Sequence, residues 1–176
     1  RIPVGVGRSL GKPAPPWAER SVTLGWADLP AAARPPDGDA MSVLRKALAH
    51  STNTVTWFCL GPMSNLADLL RHQPELTNRI SGVWYYGGPP DTTAPGWNTE
   101  RDPAAARAVF ASGMEIHAAQ VSAGQSLPFD TELLGAIKSL DRPAAKLIAR
   151  LHAHPNVLRL VEARHFQAWD ETVVLL

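Results

Sequence analysis

Five side chains able to hydrogen-bond a polar ligand, Asp91, Thr92, Thr93, Asn98 and Glu100, fall within one segment running from Gly87 to Arg101. Carboxylates, hydroxyls and an amide gathered in a single loop suit recognition of a polar small molecule. Asn98 can equally act as a turn residue that satisfies its own loop backbone. The histidines offer less. His152 and His154 flank Ala153 just before Pro155 and have no carboxylate pair nearby, so a solvated helix end is the expectation, favoured by positive charge near a helix C-terminus. His165 is a lone histidine on a helical stretch, an ordinary surface position. Cys59 is the only cysteine, so it forms neither an internal disulfide nor a zinc cage, and its place in the apolar run Val55–Leu60 predicts a small core residue.

The elements that must position the polar segment are legible from apolar spacing. Val55 to Leu60 is a continuous apolar run, as expected of a strand buried on both faces, and Gly61-Pro62 turns the chain. A helix follows with Leu66, Leu69 and Leu70 inward, Ser64 or Asn65 as its cap, and Pro74 as its stop. Ile80 to Tyr86 reads as the next strand, ended by Gly87-Gly88-Pro89-Pro90. Asp102 caps a further helix with Pro103 at its first position, where the missing N–H costs nothing. Glu115 to Val121 is the third strand, and Asp130 opens a helix with Leu133, Leu134, Ile137 and Leu140 on one side. Two more helices are predicted, at about 143–153 and 156–166. Upstream, Asp39 caps a helix carrying Met41, Leu44, Ala47 and Leu48, while residues 1–40 are proline-rich loop with a short terminal strand at Ile2-Pro3-Val4.

Strands alternating with helices at this spacing imply βαβ units and a mainly parallel sheet within one domain spanning 1–176. Open parallel sheets bind ligands beyond the carboxyl ends of their strands. The loops Gly61–Asn65, Gly87–Arg101 and Ser122–Phe129 should share that edge, the second being the longest and most polar.

With 176 residues, 45% hydrophobic and 19% charged, the chain can bury a real core. A formal net charge of +1, with dispersed basic residues, supplies no field that would favour nucleic acid or an anionic membrane. No run of about 18 apolar residues exists, so a membrane-spanning helix is not expected and a cytoplasmic location is. Arg1 stands where a start methionine would, without a basic-then-apolar leader behind it, which places the natural start elsewhere.

Gly61-Pro62-Met63-Ser64-Asn65-Leu66-Ala67, followed by Gly87-Gly88 and by Asn98-x-x-x-Asp102-Pro103-x-Ala105-Ala106, resembles the central part of the inosine/uridine-preferring nucleoside hydrolases. The likeness extends from Ile2-Pro3-Val4 to Trp169-Asp170. It implies a three-layer α/β fold with a mainly parallel open sheet, incomplete here at the N-terminal side. It also implies cleavage of an N-glycosidic bond by a calcium-activated water, nucleosides or ribosyl compounds as substrates, and a role in purine and pyrimidine salvage. A homo-oligomer or a complementing chain segment is the partner expected.

The resemblance also assigns roles. Leu60, which precedes the Gly-Pro motif, would give its backbone carbonyl to Ca2+, and Asp170 would be the side-chain metal ligand. Asn98 would bond the ribose, with Tyr86 beneath the sugar and Trp169 against the base. The family's Glu-Phe-Asn is Gly96-Trp97-Asn98 here, so one sugar-binding carboxylate is lost, and Trp169 replaces the family's histidine acid. No residue upstream matches the family's Asp-x-Asp-x-Gly-x-Asp-Asp, so the general base and most metal ligands are missing and no catalytic residue is assigned. Two readings follow: a hydrolase completed by a segment outside these residues, or a catalytically degenerate binding or assembly module. A structural subunit completing its sheet with a partner strand is a third. On its residues alone, Asp170 caps the apolar stretch Thr172–Leu176 equally well.

Overall fold

The computed structural model describes residues 2–19, 34–120 and 127–174, so the predicted Ser122–Phe129 loop and the proline-rich segment both lie partly outside the described residues. The chain forms two compact units, one of residues 1–12, 34–121 and 170–176, the other of residues 13–33 and 122–169.

In the first unit a two-residue strand β1 (Gly5–Val6) pairs in parallel with β2 (Gly38–Asp39). Helix α1 (Ala40–His50) begins directly after Asp39, whose Oδ1 accepts the Ser42 N–H at 2.9 Å and so satisfies one of the helix's orphan donors. Three strands then form a parallel sheet in chain order: β3 (Val55–Cys59), β4 (Ile80–Tyr86) and β5 (Ile116–Ala119). Between them lie α2 (Ser64–His72), a 3₁₀ turn at Pro74–Arg79, the short helix α3 (Trp97–Arg101) and α4 (Pro103–Phe110). A last helix of this unit, α8 (Glu171–Val174), packs against β4 and β5.

Alternation along β4 sends Val83 and Tyr85 into a core shared with Leu66 and Leu69 of α2 and Val109 of α4, all fully buried. Each such side chain contributes about 1.5–3 kcal/mol by leaving water. The opposite face carries a cross-strand row of rings. Phe58, Trp84 and His117 are register partners, with Trp84 and His117 stacked at 4.3 Å and Phe58 and Trp84 tilted at 6.1 Å. Trp84 is half-buried in that row, and Trp57 packs at the margin of the core.

The second unit is helical: α5 (Thr131–Lys138), α6 (Pro143–His152) and α7 (Pro155–Glu162). Asp130 caps α5, accepting the Glu132 and Leu133 N–H groups at 3.1 Å, as its sequence position predicts. Phe129, Leu134, Ala149, Val157 and Val161 make its core. His152 ends α6 as expected and, half-exposed, stacks on Phe129 at 4.1 Å. His154 caps α7, its Nδ1 accepting the Asn156 N–H.

Local outcomes differ from expectation where tertiary partners compete. Ser64 does not cap α2; Met63 occupies the cap without a side-chain bond, and Ser64 Oγ donates to Asp102 at 2.7 Å. The N-terminal strand forms at Gly5–Val6, not at residues 2–4, because β2 offers partners only there. Helix α7 ends at Glu162, where the turn at Arg164 takes a positive φ of 56°.

Core and surface positions should separate in urea unfolding. Leu69→Ala, at a fully buried site, is expected to cost about 2–5 kcal/mol. Phe58→Ala, 48% exposed, should cost less than about 1.5 kcal/mol.

Candidate functional site at the strand tips

The carboxyl ends of β3, β4 and β5 lie side by side, since Cys59 is the register partner of Tyr85 and Tyr86 that of Ala119. The chain leaves β4 through Gly87, whose φ of +151° and whose position, where a Cβ would lie 2.6 Å from the Tyr85 ring, admit glycine alone. Gly87 N–H then bonds Ala119 O at 2.9 Å, extending the β4–β5 pairing by one step. The loop closes on itself: Gly88 N–H donates to Pro95 O at 2.7 Å, and Gln120 Nε2 donates to Ala94 O. Its exposed tip holds Asp91, 3.5 Å from Arg107, and Thr92, whose hydroxyl donates to Pro89 O.

Helix α3 returns the chain to the sheet edge and buries Asn98 and Thr99. Asn98 Nδ2 donates to Leu60 O at 3.2 Å and to Tyr86 O at 2.9 Å. Two carbonyl acceptors leave only one consistent orientation for the amide and use both of its N–H groups, so Oδ1 is the group with capacity for a ligand donor. Thr99 sits one residue on and is fully buried. Its hydroxyl donates to Gly88 O at 2.8 Å, so the Tyr85 hydroxyl, 2.7 Å from Thr99 Oγ1, must be the donor in that contact. Burial pushes the Tyr85 phenol up to about 12, which keeps it protonated for this role.

Asp102 fixes the far end of α3. Its Oδ1 caps α4 by accepting the Ala105 N–H at 3.1 Å, while its Oδ2 accepts Ser64 Oγ at 2.7 Å and Arg8 Nη2 at 2.8 Å. Burial works against the Asp102 anion, yet bonds from Ser64, the Ala105 amide and the Arg8 guanidinium outweigh it and hold the carboxyl below its ordinary range.

Asp170 precedes α8, and Val173 N–H bonds its carbonyl at 3.2 Å. Desolvation by the surrounding chain, then the neighbouring Glu171 charge, raises its pKa. Tyr86 is half-buried, and its pKa is raised by burial and then by the Asp170 charge, so carboxylate and phenol share one neighbourhood. Trp169 belongs to the other unit, where its ring lies 6.2 Å from Phe166. Leu60, Tyr86, Asn98 and Asp170 are thus the expected site residues that fall within one unit.

A calcium ion takes six to eight oxygens, and tight sites gather several carboxylates. Among the described residues no group of three or more His, Cys, Asp or Glu could hold a metal, and Leu60 O already accepts an N–H from Asn98. By themselves the described donors fall short of a calcium cage.

Thr99, Tyr85 and Arg8 carry no sequence signal for the roles they play. The inward alternation of β4 predicts burial of Tyr85 but not its hydroxyl partner. Arg8 reaches Asp102 across 94 positions of chain.

The sequence model of the family described as inosine-uridine preferring nucleoside hydrolase matches residues 1–175. The pyrimidine-specific ribonucleoside hydrolase RihA of Salmonella schwarzengrund is 29% identical over 121 residues, covering 66% of this chain and 39% of that protein. The crystal structure of the inosine-uridine preferring nucleoside hydrolase from Bacillus anthracis superposes with a TM-score of 0.71 at 19% identity, over 99% of this chain and 62% of that one. A plant nucleoside hydrolase, PpNRh1, gives 0.78 at 20% identity, over 99% and 59%. The matched stretch therefore covers only 39% of the curated relative's length, and the structural likeness is one of fold.

Replacing the bridging amide by a carboxylate, Asn98→Asp, should cost about 1–3 kcal/mol at neutral pH, because an anion would face two carbonyl oxygens. The loss should shrink on acidification, as protonation restores a donor; urea unfolding at pH 7 and pH 4 checks both. Asp102 gives the opposite pH sense. Its folded pKa is depressed, so its stabilisation is present above the unfolded value of about 4 and is lost as pH falls through the folded value. Asp102→Ala should therefore lower stability by about 1–3 kcal/mol at pH 7, with wild type and variant converging in acid.

Proposed function

The chain belongs to the inosine-uridine preferring nucleoside hydrolase family, and from that premise we propose that it forms the sugar-facing part of an N-ribosyl hydrolase whose catalytic carboxylates come from outside these 176 residues. The substrate class is a nucleoside or a related ribosyl compound. The observation that carries this reading is the Asn98 amide spanning the Leu60 and Tyr86 carbonyls, which leaves Oδ1 available to a ribose hydroxyl at the ligand-binding edge of a parallel sheet. Tyr86 forms a wall beneath the sugar. Asp170 and the second lone pair of the Leu60 carbonyl would contribute to a Ca2+ site whose other ligands lie outside the described residues. Calcium bound there would lower the pKa of a coordinated water.

In such a site the residues present bind and orient. Asn98 Oδ1 accepts a hydrogen bond from a sugar hydroxyl. The proton balance of the cleavage belongs to groups outside the described residues. Action in cytoplasmic nucleobase salvage, in a homo-oligomer or with a complementing segment, completes the proposal; no described helix is long and apolar enough to cross a membrane.

One observation favours a second reading. The absence of any three-residue acidic, histidine or cysteine cluster among the described residues, with Gly96 where the family places glutamate, suits a degenerate module that binds ribosyl compounds without cleaving them.

The full gene product, incubated with inosine and uridine in millimolar calcium, should release free base. A calcium-dependent rise in Tm that Asp170→Ala abolishes is expected for the hydrolase, since a ligand of the folded state stabilises it by mass action. Ribose or nucleoside binding without release of base or response to calcium would support the degenerate module.

A further inference from the structure

Helix α3 has five residues, too few to stand on its own internal bonds, yet it carries the two buried side chains that reach the strand tips. Asn98 and Thr99 fasten its first turn. Its last turn is fastened from elsewhere: Lys12 Nζ donates to Glu100 O at 2.9 Å, and Arg8 Nη2 donates to Asp102 Oδ2 at 2.8 Å. Arg8 Nε simultaneously holds Asp68 Oδ2 on α2 at 2.8 Å. Residues 8–12 thus cross from α2 to the α3–α4 junction and place a cation at each end.

This segment is itself anchored upstream. Asp37 N–H donates to Val4 O at 2.7 Å, and Val4 N–H donates to Asp37 Oδ2 at 2.9 Å. Gly5 lies so close to α1 that a Cβ there would come within 2.8 Å of the Ala40 Cα. A segment held at β1–β2 and again at α2 can transmit its position to whatever its far end touches.

We propose that Arg8 to Lys12 is a strap that sets the position of α3, making Arg8 and Lys12 positioning residues for Asn98. Exposed ion pairs are individually weak. Arg8 differs because its planar fork joins two carboxylates that are only 14% and 12% exposed, one on each side of the junction. Lysine at that position reaches one carboxylate at a time. Lys12 meets a carbonyl at the C-terminal end of the helix, where positive charge is favoured. Arg8 is therefore the dominant fastening and Lys12 the lesser. The functional consequence rests on the sugar-contact reading of Asn98; the mechanical statement does not.

Amide hydrogen exchange on the full chain tests this. Arg8→Ala should speed exchange across 97–103 by roughly tenfold while amides of α1 and of β4 up to Tyr85 keep their wild-type rates. Arg8→Lys should fall between, and Lys12→Met should give a smaller increase confined to 100–103. Because removing Arg8 can unfold the chain, wild type in 1 M salt, which screens exposed charges to about 3 Å, should show the faster exchange across 97–103 as well, and Lys12→Met its smaller share at 100–103. Uniform acceleration through the unit, or no change at 97–103, overturns the strap. In a wild-type protein that cleaves nucleosides, Arg8→Lys should raise KM more than it lowers kcat. A wild type without hydrolysis removes the proposed activity and leaves the exchange result to decide the strap.

Discussion

Two backbone carbonyls at the tips of neighbouring parallel strands, those of Leu60 and Tyr86, share one side-chain amide. Strand ends in a parallel sheet leave such carbonyls without ladder partners, and burial beneath a loop would leave them costly. Asn98 supplies both missing donors at once. The requirement that an asparagine stand there fixes where α3 must lie, and the path of residues 87–101 follows from it.

The rest of the loop is arranged to honour that constraint. Gly87 lets the backbone turn against the Tyr85 ring, and the Tyr85–Thr99–Gly88 hydrogen-bond chain locks the second residue of the turn to the second buried residue of α3. Asp102 joins this scaffold to α2 through Ser64 and to the N-terminal segment through Arg8. The bonds of Asn98, of Thr99 and of the Glu100 carbonyl converge on five residues of helix, which is how a segment with little intrinsic helicity presents a fixed side chain. The acidic group at the same edge is less accommodated. Asp170 has its pKa raised by desolvation and then by the Glu171 charge.

The family assignment and the chemistry have different standing for a physical reason. Gly61-Pro62, Asp102-Pro103 and the Asn98 spacing encode turns, caps and one clamp, and these local features build the fold. Cleavage needs several carboxylates converging on one cation and a base beside its water. Among the described residues no group of three or more His, Cys, Asp or Glu is gathered closely enough to hold such a cation.

Apolar spacing by itself determined much of this protein: β3 and β4 to within a residue, the Asp39, Asp102 and Asp130 caps, the burial of Cys59, and the parallel order that brings Leu60 and Tyr86 to one edge. These are consequences of periodicity and local hydrogen bonding, both of which are written in neighbouring residues. Long-range pairing was not. That Ser64 abandons its helix end for Asp102, that His152 stacks on Phe129, that the Asn98 amide spends its donors on backbone, and that Arg8 spans two carboxylates all depend on which groups the folded chain brings within 3 Å or so. Side-chain hydrogen bonds between residues tens of positions apart have no period and no spacing, so they emerge only once the backbone has closed around them.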